Sequence, residues 1–193
     1  MPSPAKIAFD ENLKDVVRFC EIHADAVGEG PGRKHDVEVL NRAVIVFICA
    51  CWEAYVEDLL RSSLDSLLTH GGASAAAMTR LRRPLEHALG SFHTPNTRGV
   101  VNLVEGVIDL PKLNKHWRWG GKPRKVGGKK LSRSDELDAL VYLRGRIAHR
   151  VGAAQPVHKK HGTQAITLVT NLVATTEAAV EKHLTGIMGQ PPW

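Results

Sequence analysis

Aromatic residues make up only 5% of this 193-residue chain, which argues against a sandwich or barrel whose strands are filled with rings. Long apolar runs are missing too. The longest, Ala43 to Trp52, has ten residues between Arg42 and Glu53, too short to span a bilayer and typical of a buried core helix, so no membrane association is expected. The N-terminus, Met-Pro-Ser-Pro-Ala-Lys, lacks the charged-then-apolar layout of a signal peptide, and a cytoplasmic protein is expected. Cysteines are few and odd in number. Cys20, Cys49 and Cys51 lie in apolar helical stretches and are expected as reduced core residues, not as a disulfide or metal framework. No glycine loop of the nucleotide-binding type occurs, because Gly120-Gly121-Lys122 lacks the strand before it and the helix after it. Asp10, Asp15, Glu53, Glu57 and Asp58 do not form a two-metal carboxylate pattern, Glu53 and Glu57 being an i, i+4 pair on an exposed helix edge. His158 and His161 have no third ligand nearby and read as part of a basic loop. No cofactor and no metal are expected.

Ala, Leu and Val dominate instead, and their spacing is helical almost throughout. Leu13, Val16, Val17, Cys20, Ala24 and Val27 mark a first helix over about residues 9 to 28, ended by the Gly28 to Gly32 breaker. A second, longer helix is predicted from about Asp36 to Leu68, with Val37, Leu40, Val44, Phe47, Cys51, Tyr55, Leu59 and Leu60 on its core stripe. A third, around 75 to 89, carries Pro84, which should kink it or mark its true start. Asn96 or Thr97 should cap a fourth, running to about Ile108. Residues 111 to 133 read as an irregular insert. Ser132 and Asp135 make a capping-box pattern before a fifth helix over about 134 to 151, and a sixth spans about 164 to 187. The expected architecture is an all-α, antiparallel bundle of five to six helices, forming one domain over residues 8–188 with flexible tails at 1–7 and 189–193.

The net charge is +6 with every histidine neutral, which favours an anionic partner. Positive charge concentrates in the insert. From Lys112 to Arg133 there are nine Lys or Arg and no acid, with Trp117 and Trp119 interleaved and Gly120, Gly121, Gly127 and Gly128 making the stretch pliable. Cations neutralise phosphates while indoles stack on unpaired bases, so Lys122, Arg124, Lys125, Lys129, Lys130, Trp117 and Trp119 are candidate RNA contacts. A solvated loop whose tryptophans pack on the bundle is the competing reading.

The chemistry-bearing motif lies in the fifth helix, where Arg144-Gly145-Arg146-Ile147-Ala148-His149 places a fixed cation and an imidazole five residues apart. Those are the side-chain types that metal-free cleavage of RNA requires. On an ideal helix they point about 140° apart and lie ~7.5 Å apart along the axis. One small pocket cannot comfortably take both. Either His149 sits where the helix frays toward Gly152, or two copies of the helix meet across a dimer axis and pool their side chains. Alternatively, Arg144 pairs with an acid such as Glu53 and His149 closes its own helix. Arg18 with His23 and Arg82 with His87 repeat the spacing, but the first pair lacks supporting context and Pro84 interrupts the second.

The segment Leu143 to Arg150 resembles the Arg-x4-His signature of HEPN domains. Trp52-Glu53-Ala54-Tyr55-Val56-Glu57-Asp58-Leu59-Leu60 is similar to a run in RiboL-PSP type HEPN proteins, and Pro95-Asn96 resembles the helix start that precedes their motif. The resemblance covers about residues 35 to 185, in matching order. It implies an all-helical homodimer acting as a metal-independent endoribonuclease, often a toxin or defence effector, whose partners are RNA and a cognate antitoxin or inhibitor. It assigns proton transfer to His149 and charge stabilisation to Arg144. One position departs from the pattern: the residue after the motif arginine, commonly Asn, Asp or His, is Gly145. Arg146 is then the candidate for the missing polar contact and Glu53 a supporting residue. A non-catalytic HEPN module that binds RNA or protein, and a plain helical scaffold or regulator, are the alternatives.

Overall fold

The computed structural model describes residues 1–27, 37–120, 125–126, 128–150 and 156–193. Its helices are α1 (Pro4–Val27), α2 (Val37–His70), α3 (Ala75–Gly90), α4 (Thr97–Ile108), α5 (Arg133–Arg150) and α6 (Lys159–Met188). Between α4 and α5 lie, among the described residues, a 3-10 turn, Leu113–His116, and a hairpin of two-residue strands, β1 (Lys125–Val126) and β2 (Lys129–Lys130), paired antiparallel with Lys125 opposite Lys130. The all-α bundle expected from the periodicity is the fold observed.

The long second helix is its axis. The apolar run that ends at Trp52 lets α2 be covered on several sides, by α1, α6, α5, α4 and α3. Ile45, Ile48, Trp52, Tyr55, Val56, Leu59 and Leu60 are fully buried along it, and each such side chain stabilises the fold by about 1.5–3 kcal/mol relative to exposure. Trp52 is the hub: its ring stacks on Tyr55 at 5.9 Å and meets Trp117 edge-on at 6.2 Å. Phe47 departs from the expected core stripe. It is half exposed and packs edge-on against Phe19 of α1 at 5.7 Å, because α1 covers only one side of it.

Both chain ends are more ordered than a reading as tails allows. Helix α1 begins at Pro4, a residue suited to the first helical position because its missing N–H has no intrahelical partner there. Ser3 caps it, accepting from the Lys6 N–H at 3.0 Å. The Ser3 amide and hydroxyl donate to the buried Glu177 carboxylate at 2.6 and 2.9 Å, and the Tyr55 hydroxyl donates to the same group at 3.0 Å. A buried carboxylate with three donors is satisfied, so the network ties the N-terminus to α2 and α6. At the other end, the Ser66 hydroxyl donates to the Pro192 carbonyl at 3.0 Å and Trp193 packs against the core.

Helix starts follow their caps. Asn96 accepts from the Gly99 N–H at 2.8 Å, and Ser132 and Asp135 form the reciprocal box read from the sequence. Helix α3 starts at Ala75 behind the Ser74 cap, so Pro84 lies inside it and is not its beginning. Helix α6 starts five residues before the expected 164, with His158 at its N-cap and His161 using its ring nitrogen to accept the His158 N–H at 3.2 Å, a role that Glu or Gln usually fills at the third helical position. The front of the insert is not irregular. Leu113 and Trp117 are buried, and the Trp117 indole donates to Thr176 of α6 at 2.9 Å.

Candidate active site

Helix α5 presents the motif on two faces. Arg144, half-buried, turns toward α2 and meets the Glu53 carboxylate at 3.7 Å. Cys49 lies one turn earlier on α2, buried, with its thiol pushed up to about 12 by burial even though Arg144 draws it down. Glu53 is not on an exposed edge, as only 18% of its side chain is accessible. Burial holds its carboxyl above the usual range against the pull of Arg144, with Glu57 adding to the rise and His93 opposing it. Arg144 therefore offers a cation whose partner is reluctant to carry charge.

His149 is on the other side. The helix continues through Arg150, so no fraying at residue 149 brings the imidazole round to Arg144. His149 is exposed, on the outward stripe that also carries Tyr142 and Arg146 at helical spacing. The Arg146 guanidinium donates to the Tyr142 hydroxyl at 3.4 Å and lies 6.0 Å from its ring centroid. Arg146 thus joins His149's face and does not reach Arg144. Tyr142 is 67% exposed. Gly145 neither permits a close approach nor unwinds the helix within one chain: a Cβ there would have nothing within 4 Å among the described residues.

One neighbour has no counterpart in the motifs of the sequence. Trp52 donates from its indole to the Pro95 carbonyl at 3.0 Å, fastening the α3–α4 loop to α2 one residue before Glu53. Gly99 allows this corner, since a Cβ there would approach the Thr94 carbonyl to 2.9 Å. His93, exposed between buried Phe92 and Pro95, is thereby brought within electrostatic range of Glu53. The only signal was the Pro95-Asn96 pair, which located the helix start but not the histidine's direction.

The basic arm divides. Trp117 belongs to the core and offers no face for a base to stack on, because its ring is buried against Trp52 and its N–H is satisfied. Trp119 is half-exposed, with the Arg133 guanidinium 4.5 Å above its ring. Lys130 is exposed, and Lys125 and Lys129 sit on the hairpin strands. Lys122 and Arg124 lie outside the described residues. Of the repeated spacings, Arg18 pairs with Glu21 at 3.1 Å and Arg82 with Asp65 at 2.7 Å, which are surface ion pairs of small worth. No helix among the described residues is long and apolar enough to cross a membrane.

The family model described as RiboL-PSP-HEPN matches residues 9–182, which span α1 through nearly all of α6 and include both faces of the motif helix. The chain belongs to the RiboL-PSP-HEPN family. Neither a curated protein nor a solved structure matches it significantly. In this HEPN-type module the Arg-x4-His motif occupies the C-terminal half of α5, the Trp-Glu run faces it from α2, and the Pro-Asn corner closes the same end of the bundle.

Proposed function

We propose that this HEPN protein is a metal-independent endoribonuclease whose catalytic groups are Arg144 and His149, pooled from two chains of a homodimer. The observation that carries the reading is the division of the motif. Arg144 turns inward to Glu53 while His149 stands exposed beside Tyr142 and Arg146. A single chain does not bring the pair together, whereas two outward stripes meeting across a two-fold axis bring each His149 toward the partner's motif helix. The open space around Gly145 leaves room for such an approach.

The chemistry needs no ion. A ribose 2′-hydroxyl loses its proton to an imidazole and attacks the adjacent phosphorus. The O2′–P bond forms, the P–O5′ bond breaks, and the departing 5′ oxygen takes up a proton. Arg144 stabilises the extra negative charge that builds on the phosphoryl oxygens, and His149 moves the proton. Imidazoles ordinarily titrate at about pH 6.5, which suits them to both directions of transfer near neutrality. DNA lacks the nucleophile. The biological setting that fits such an activity is a toxin or defence effector restrained by a cognate antitoxin or inhibitor protein.

The test is incubation of the purified protein with mixed-sequence RNA in excess EDTA. Cleavage should continue and leave 2′,3′-cyclic phosphate or 3′-phosphate and 5′-hydroxyl ends, and His149→Ala and Arg144→Ala should abolish it with melting behaviour unchanged. Products ending in 3′-hydroxyl, or activity that EDTA stops and magnesium restores, would overturn the mechanism. A second reading, an RNA- or protein-binding module without chemistry, is favoured by Gly145, which provides no polar side chain to orient the motif. Full binding with no cleavage by the parent protein would select it.

A further inference from the structure

A cavity of about 490 Å³ lies between α5 and α6, beside the insert and separate from the Arg144–Glu53 contact. Its floor is apolar, made by Leu140 and Leu143 of α5 and Leu168 of α6. Trp119 and Arg133 form one wall, the guanidinium 4.5 Å from the indole centroid, and the exposed Gln164 stands at its edge. We propose that this cavity receives one unpaired nucleobase of a single-stranded RNA. The inference rests on the RNA-directed reading above and adds to it where the strand is held and why it must be single.

Size and chemistry agree on the occupant. Small-molecule sites run to about 300–1,000 Å³ and combine apolar walls with a few polar groups, a range that admits a base with part of its ribose. Arg133 is matched within the cavity by Glu136 at 2.9 Å, with 17% and 8% of the two side chains accessible. The interior is thus charge-balanced and suits a neutral guest. A guanidinium lying over an indole covers that face of the ring and offers its own planar outer face for another planar group to stack on.

The chain next to the lining residues has the opposite character. Lys159 and Lys160 are exposed in the first turn of α6, adjoining His161 of the cavity lining, and exposed Lys130 lies three residues before Arg133. Cations outside and a neutral, partly aromatic interior complement a phosphodiester chain with one base turned inward. A duplex presents its bases stacked and paired, so only an unpaired stretch delivers one without an unstacking cost.

The experiment uses the full chain with His149→Ala, so that binding is read without cleavage. Its probes are a fluorescent eight-nucleotide RNA, the same oligomer with abasic positions, and the RNA in duplex form. Ala139→Phe fills the cavity from an exposed helix position, and Trp119→Ala removes the wall. Since stacking on an aromatic side chain changes affinity by about tenfold per base, each variant should weaken binding of the intact oligomer about tenfold. The abasic and duplex probes should bind about tenfold more weakly and be indifferent to both substitutions, and unchanged melting of Ala139→Phe shows that the fold is retained. Equal affinity for intact and abasic strands, an Ala139→Phe variant that binds like its parent, or no binding at all overturns the proposal. The ribonuclease reading is judged separately by cleavage with the unsubstituted protein: persistent cleavage with base-independent binding discards the cavity alone, and base-dependent binding without cleavage discards the chemistry alone.

Discussion

Arg144 and Glu53 set the electrostatics of the motif at the scale of single residues. Because burial raises the Glu53 carboxyl despite its arginine partner, the folded state holds this group's proton more tightly than the unfolded chain does. A raised folded pKa contributes stability below the unfolded value, near 4.5, that is lost as pH rises through the folded one. Glu53→Gln should therefore be at least as stable as the parent in urea at pH 7, with the two curves converging as the buffer becomes acidic. A large loss of stability at pH 7 would show that the ion pair outweighs its desolvation. The same substitution should tighten RNA binding by freeing Arg144 from its carboxylate. Gly145→Ala is expected to stabilise α5 by about 0.5–1 kcal/mol, because its Cβ meets open space and glycine is a poor helix former. In a dimer that brings the motif helices into contact, that gain should come with weaker assembly, which sedimentation can read. Cys49, pushed up to about 12, should resist alkylation in the native protein at pH 8 and react once urea unfolds it.

Elements decide what becomes of the basic arm. Its front half is a core component, so Trp117→Ala should cost about 3–5 kcal/mol through loss of a buried ring and an indole hydrogen bond, seen as a melting temperature lower by roughly 10 °C. Trp119→Ala should cost clearly less, because its ring is only partly buried against the core. If the two variants melt alike, the division between buried and half-exposed tryptophans fails. The hairpin half carries the charge. Neutralising Lys122, Arg124, Lys125, Lys129 and Lys130 together should flatten the salt dependence of RNA binding, by about 0.7 in the log-log slope for each phosphate left without its cation. An unchanged slope would make the arm a bystander.

The whole molecule is an α2-centred bundle whose motif helix carries a stripe where exposed Tyr142 and His149 lie beside half-buried Arg146. Two copies meeting there would cover Tyr142 and place each imidazole near the partner's motif helix. A dimer at micromolar concentration is expected, with Gly145→Cys cross-linking between chains under mild oxidation and Tyr142→Glu shifting the protein to monomer with loss of cleavage. An enzyme that sediments as a monomer while cutting RNA would defeat the two-chain site.

Helix number, order and most boundaries were legible in the sequence, because 3.6-residue periodicity, glycine breaks and the Ser132–Asp135 box are local properties. The family could be read from the motif and its Trp-Glu and Pro-Asn companions, and the family match over residues 9–182 bears out that family. What depended on distant partners could not. By sequence Ser3 reads as part of a tail, whereas Glu177, 174 residues away, supplies its acceptor; Trp117 reads as a stacking residue, whereas Thr176 and Trp52 enclose it. The inward turn of Arg144, the approach of His93 to Glu53 and the cavity under Trp119 likewise exist only once α2, α5, α6 and the α3–α4 corner are packed. Periodicity tells which residues share a helix face, whereas the element that covers that face, and hence whether a polar side chain is buried, paired or exposed, is set by contacts between segments far apart in the chain.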